Sequence, residues 1–256
     1  MLYGICNLSI VPLRAEESNQ SEMTSQVLFG EVFEVTGKQK EWSKIRLTFD
    51  NYEGFIDNKQ YTEISADFYS KLKTEKQYFS GEMIDFITNS KNELTTIPLG
   101  SNLPFYNAGK LQINSELYTY EGAILSEEES KHKIAQTAFN YLNTPFLWGG
   151  KTPFGIDCSG FTQMVYKLCG YRLLRDANQQ ATQGEVLSFI EESEAGDLAF
   201  FDNEEGEIIH VGIILSDYHI IHAHGKVRID TLDHSGIFNA ELQKHTHKLR
   251  IIKKMI

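Results

Sequence analysis

Residues 143–169, NTPFLWGGKTPFGIDCSGFTQMVYKLC, constrain this chain more than any other stretch. After Cys158, apolar residues fall at Phe161, Met164, Val165 and Leu168, the i, i+3, i+4, i+7 spacing of one helix face. Cys158 therefore begins a helix. Asp157 is a suitable N-cap, and Trp148-Gly149-Gly150 and Pro153-Phe154-Gly155 are loop material, so a Gly-rich turn feeds a thiol at a helix N-terminus. The positive end of the macrodipole favours thiolate there, as a nucleophile requires. The plainer alternative is a small buried hydrophobe in a first turn, the common fate of a free cysteine.

A second stretch, GDLAFFDNEEGEIIHVGIILSDYHIIHAHG, reads as three consecutive strands over 198–201, 208–215 and 218–223. His210 interrupts an otherwise apolar run, and His222 follows one strand later. Either could be a satisfied core histidine. Together with Cys158 they supply a nucleophile, a base and an orienting third group from different parts of the chain: His210 to take the thiol proton, His222 to fix its tautomer. His210, His222 and His224 also offer metal-ligand types, with His222 and His224 on one strand face. That reading leaves the Asp-Cys-Ser-Gly block without a role, so neither metal nor cofactor is expected.

The rest of the chain is mostly β in pattern. Residues 1–62 alternate short strands with turns, as in a small barrel, with Trp42, Ile45 and Leu47 facing its core. Residues 63–80 read as a linker with a helical turn, and 82–125 as a second small barrel. Ser126 to Ser130 opens a helix with acids in its first turn, followed by apolar Ile134, Ala135, Ala138, Phe139 and Leu142, an amphipathic helix that delivers the chain to the Cys158 loop. Gly170 ends the Cys158 helix. Asp176 can cap a short helix, and the tail histidines His245 and His247 read as solvated.

The order Cys158, His210, His222, with TPFLWGG-x-TPFG-x-DCSGF before the cysteine and GDLAFF before the first histidine, closely resembles the NlpC-type cell-wall cysteine peptidases of the papain-like superfamily. The resemblance covers roughly 128–256. The N-terminal segments look like the bacterial SH3-like domains of one branch, the γ-D-glutamyl-L-diamino acid endopeptidases. It implies an α+β fold: a papain-like domain over 126–256, with the Cys-bearing helix packed on an antiparallel sheet, preceded by SH3-like barrels over 1–62 and 63–125. It implies hydrolysis of the γ-D-glutamyl–diamino acid bond of murein stem peptides. Catalytic Cys158, His210 and His222 would be joined by Trp148 as a cleft wall and by Asp157 and Ser159 as a substrate-contacting pair. Glu16, or Glu17 beside it, and Tyr52 would clasp the free α-amine of the substrate's L-Ala, with help from Asp157. Asp176 would line the cleft, unless it is only an N-cap. Such a clasp refuses intact wall and suits recycling of freed stems. Many relatives carry a tyrosine, a possible oxyanion donor, where this chain has Phe146. A wall amidase or acyltransferase of the same superfamily, and a non-catalytic wall-binding protein, are the alternatives.

Composition narrows the partners. With 24 basic against 35 acidic residues, net −11, neither nucleic acid nor an anionic membrane is attracted. Three cysteines, Cys6, Cys158 and Cys169, form no disulfide framework or zinc spacing. The N-terminal stretch has no basic leader before its apolar residues and no run long enough to span a membrane. The expected location is cytoplasmic, or periplasmic or secreted if a signal peptide precedes the sequence.

Overall fold

The computed structural model describes residues 2–256, and the chain divides between Ser126 and Glu127 into two compact units. In the first, seven antiparallel strands (Leu2–Ile5, Ile10–Arg14, Met23–Leu28, Val32–Lys38, Trp42–Leu47, Glu53–Asp57, Thr62–Ile64) pair in the order third, second, sixth, fifth, fourth, first, seventh. Alternation points Val11, Leu13, Phe33, Ile45, Leu47 and Ile56 into one core. Trp42 is out of phase with Ile45 and Leu47: Ser43 takes the inward position, its hydroxyl bonded to Asn58 Oδ1 (2.6 Å) and Tyr61 OH (2.9 Å). Cys6 lies fully inside this core, where burial pushes its thiol up to about 12.

The expected linker contains a nine-residue helix, Ala66–Thr74, capped by Ser65, whose hydroxyl accepts from the Phe68 N–H. Tyr69 and Leu72 on its inner face join Ile5 of the seven-stranded sheet, Phe29 of the turn after Met23–Leu28, and Ile87, Ile97, Leu111 and Tyr120 of the following module in a single core. That module is not a second barrel. It is a four-stranded antiparallel sheet, in the order Leu94–Pro98, Ile84–Asn89, Glu116–Thr119, Lys110–Ile113. One face is filled by the shared core, so the sheet buries its apolar side without closing on itself.

The second unit begins with residues 127–130, which precede rather than form the helix Lys131–Ala138; the Glu129 N–H donates to Cys169 O instead of entering a helical turn. The helix Cys158–Leu168 runs as its spacing predicts, and Gly170 follows it with φ 88°. Seven antiparallel strands then pair in the order Glu185–Leu187, Lys244–Lys254, Leu198–Asp202, Ile208–Ile214, His219–His224, Lys226–Asp233, Gly236–Asn239. Gly236–Asn239 also pairs back on Lys244–Lys254, which closes six of them into a ring. The Cys158 helix packs on Ile208–Ile214 and His219–His224. Among the described residues no helix is long and apolar enough to cross a membrane.

One turn ties the first unit together. Gly30 has φ 76°, and a Cβ there would strike the Asn102 carbonyl oxygen, while the Asn102 N–H donates to Phe29 O at 2.9 Å. Gly30→Ala meets both backbone strain and a backbone clash, so it should lower stability by about 2 kcal/mol or more, read as a fall in Tm.

Candidate active site

The start of the Cys158 helix is fixed by one carboxylate. Asp157, the N-cap, accepts from Gly160 N (2.6 Å) on Oδ1 and from Gly149 N (2.8 Å) on Oδ2, fastening the Gly-rich loop to the first helical turn. Arg175, only 1% exposed, grips the same group with both arms, Nη1 to Oδ1 at 3.0 Å and Nη2 to Oδ2 at 2.6 Å, and Nη1 also reaches Ser159 Oγ at 3.0 Å. A buried carboxylate with this many donors and its own guanidinium is a structural strut. The sequence-based expectation that Asp157 helps hold a substrate ammonium therefore meets a carboxylate already filled by Arg175 and backbone donors.

Helix-terminal position does not make Cys158 a standing thiolate. Burial pushes its thiol up to about 12, the Asp157 charge adds to this, and the opposing influences of the Val211 N–H, the Arg175 charge and the Ser159 N–H are smaller. The half-buried thiol therefore rests protonated and needs a base at the moment of attack. Its proximity to Val211 sets it beside the strand that carries His210.

The base is prepared by a chain of hydrogen bonds. His222 Nε2 lies 3.0 Å from Asp230 Oδ2, and His222 Nδ1 lies 2.8 Å from His210 Nε2. An ionised carboxylate only accepts, so His222 carries its proton on Nε2 and presents a bare Nδ1. That nitrogen accepts from His210 Nε2–H, which leaves His210 Nδ1 with a free lone pair, the form needed to take a proton from a thiol. Arg228 secures the far end, its Nε on Asp230 Oδ2 at 2.7 Å and Nη2 on Oδ1 at 3.0 Å. Burial pushes the Asp230 carboxyl up, but the bonds from His222 and Arg228 outweigh it and hold it below the usual range. His210 is pushed well below the ordinary imidazole value by burial and then by the neighbouring His222, His247 and His224. Burial likewise lowers His222, against the pull of Asp230.

Strand pairing builds this chain. His222 stands opposite Gly212 and opposite Arg228, and a Cβ on Gly212 would lie 2.9 Å from His222 Cβ and 2.8 Å from Ile220 Cδ1. Only glycine lets the two histidine strands approach this closely. The His247 ring lies flat on His210, centroids 4.1 Å apart at 23°, and is half-buried, so it is not the solvated tail residue that its sequence context implies. His245 is exposed and pairs with Asp233. His224 is exposed, its ring centroid 6.5 Å from that of His210.

Of the other residues singled out from the sequence, Trp148 is 62% exposed beside exposed Phe146, Leu147 and Phe154, an apolar lip on the loop that Asp157 fastens. Ser159 is buried, its hydroxyl held between Arg175 and Asp157. Asp176 caps the helix Ala177–Gln180, its N–H donating to Gln179 Oε1. Glu16 and Glu17 are exposed between Ile10–Arg14 and Met23–Leu28, and half-buried Tyr52 packs against the core of the seven-stranded sheet; all three belong to the first unit. Asp230, Arg228 and Gly212 carry no motif, and only the strand register brings them to His222.

The NlpC/P60 family model matches residues 143–248, and that of the bacterial dipeptidyl-peptidase SH3 domain matches 13–60. A gamma-D-glutamyl-L-lysine dipeptidyl-peptidase of Bacillus subtilis is 30% identical over 217 residues, covering 78% of this chain and 71% of the relative. The chain belongs to the NlpC/P60 family. As a member of it, the protein is a peptidase. Dipeptidyl-peptidase 6 of Lysinibacillus sphaericus is 24% identical over 86% of this chain and 88% of its own length. A solved NlpC/P60 family protein from Bacillus cereus shares the fold with a TM-score of 0.82 over 99% of both chains, at 18% identity.

Asp230→Ala removes the acceptor that sets both tautomers in this NlpC/P60 protein, so kcat should fall by about 10²-fold or more while the fold, checked by melting, persists. The histidines also give stability a pH dependence. Burial, chiefly, holds His210 and His222 below the ordinary value and His247 at about 4. Below about pH 6.5 the unfolded chain therefore binds protons that the folded chain refuses: stability is full above that pH and declines on acidification toward about 4. Melting temperatures between pH ~7.5 and ~4.5 should show this slope, and His247→Gln should flatten it.

Proposed function

We propose that this chain is a cysteine endopeptidase that cleaves the bond between γ-D-glutamate and a diamino acid in peptidoglycan stem peptides, acting on stems with a free N-terminal L-Ala. The observation that carries the reading is the Asp230–His222–His210 chain, which leaves a base on the strand beside the Cys158 thiol. The substrate class rests on the resemblance to the γ-D-glutamyl-L-lysine dipeptidyl-peptidase over most of both chains, and on the match of residues 13–60 to the bacterial dipeptidyl-peptidase SH3 domain.

His210 Nδ1 takes the Cys158 proton as Sγ attacks the γ-glutamyl carbonyl carbon. The resulting oxyanion meets the Cys158 N–H, which as the first helical residue lies outside the i→i−4 ladder. Phe146 brings no hydroxyl to it, and a missing donor of this kind costs about 3 kcal/mol of transition-state stabilisation. The protonated His210 then gives its proton to the leaving α-amine of the diamino acid. Water, deprotonated by the same nitrogen, hydrolyses the thioester and restores the thiol. Throughout, His222 and Asp230 hold the imidazolium in place.

With the Asp157 carboxylate committed to Arg175, the substrate amine falls by that resemblance to Glu16, or Glu17 beside it, and Tyr52, while Asp176 lines the cleft. Trp148 walls the peptide, and Asp157 with Ser159 shapes the floor. A clasp of this kind selects freed stems and fits a part in murein recycling in the cytoplasm.

Incubation with L-Ala-γ-D-Glu-meso-diaminopimelate and its N-acetylated twin, with Cys158→Ala as control, tests the reading by product mass. Release of L-Ala-D-Glu from the free-amine peptide alone is expected, with none from the variant. Equal cleavage of both peptides would remove the amine clasp, and cleavage of neither would overturn the peptidase assignment to this bond.

A further inference from the structure

The histidine chain of the active site has a neighbour that the proposed reaction does not use. His247 comes from the strand Lys244–Lys254, on the far side of the ring of strands from His222 in sequence order, yet a ring nitrogen from each of His210, His222 and His247 lies within 4.8 Å of the other two. The His247 Nδ1 is turned to the Thr246 hydroxyl at 2.9 Å, leaving Nε2 for other work. Behind His222, Asp230 accepts from Nε2, the carboxylate–histidine support that orients an imidazole toward a metal. Arg228, the nearby cation, is spent on Asp230 and Glu241.

We propose that His210, His222 and His247 form a three-imidazole site for a divalent transition metal of the Zn²⁺ class, and that the metal, by occupying it, switches the peptidase off. A tetrahedral zinc with bonds of 2.0–2.1 Å sets its nitrogens about 3.3 Å apart. The His210–His222 pair, at 2.8 Å, must open slightly, and the His247 ring, which lies flat on His210, must turn out of that stack to aim its nitrogen at the ion while the remaining separations close by roughly 1.5 Å at most. The metal takes the lone pair of His222 Nδ1, whose Nε2 keeps its proton and donates it to Asp230, and it takes His210 Nε2, so the His210 proton moves to Nδ1. No net proton is lost. That one proton is now on the atom that must accept from Cys158, so a metallated His210 is no longer a base. Metal and catalysis compete for the same hydrogen bond. A chain with a net charge of −11 does not repel a dication.

The site and the switch are separable in experiment, although the switch rests on the peptidase reading above. Calorimetric titration of the full, metal-free chain with Zn²⁺ reads the site without substrate. One ion per chain is expected; His247→Gln should weaken it more than about tenfold, while Cys158→Ala and His224→Gln should leave it within about threefold. Co²⁺ gives a second readout in the unaltered protein: intense visible bands of tetrahedral geometry without a thiolate charge-transfer band. No binding, binding unchanged in His247→Gln, or the weak bands of octahedral Co²⁺ would each overturn the site. In the peptide assay, Zn²⁺ should abolish cleavage over the same concentrations and a chelator should restore it. Cleavage persisting at saturating Zn²⁺ would overturn the switch, whereas a metal-free protein that cleaves nothing would count against the peptidase reading and leave the titration standing.

Discussion

The buried pair of Asp157 and Arg175 organises the catalytic unit. The carboxylate caps the helix, holds the Gly149 N–H and fixes Ser159 through the guanidinium, so three separate stretches of chain meet on two oxygens. Breaking such a pair from one side would strand a buried charge, which typically costs 3–5 kcal/mol, far more than the net worth of the intact pair. Its value lies in precision of placement. Because Asp157 immediately precedes Cys158, it positions the thiol, while its charge also raises the thiol pKa and Arg175 only partly offsets this.

That opposition explains why the site depends on its histidines. A thiol that rests protonated needs a base with a free nitrogen in the right place, and a neutral imidazole offers one only if its proton is pinned elsewhere. Asp230 pins it two residues away through His222, and Arg228 keeps Asp230 ionised and oriented. Burial keeps His210 neutral until the reaction charges it. The same three features, buried neutral rings, a supporting carboxylate and a third imidazole at van der Waals distance, also describe a metal site, so a catalytic relay and a metal trap are chemically close neighbours.

The first unit shows a different economy. Its seven-stranded sheet and its four-stranded sheet share one core bridged by the helix Ala66–Thr74, so the smaller sheet borrows hydrophobic partners instead of closing. The helix Ala66–Thr74 runs longer than the helical turn its weak period implies, because its charged residues lie on the outer face and only Tyr69 and Leu72 are buried. Strand phase misled at Trp42 because a large aromatic was assigned inward by hydrophobicity, whereas Ser43 satisfies its hydroxyl inside.

The sequence by itself determined what short-range physics controls: the helix beginning at Cys158 with Asp157 as cap, its end before Gly170, the strands carrying His210 and His222, and the pattern of small strands in the first sixty residues. Tertiary structure decided what depends on register and burial. Asp230, Arg228, Gly212 and His247 look like ordinary strand residues until antiparallel pairing brings them to His222 and His210. The protonation state of the thiol was likewise beyond the sequence. A helix N-terminus lowers a cysteine pKa locally, but desolvation by the packed sheet and the charge of the filled Asp157 act more strongly, and both exist only once the chain is folded.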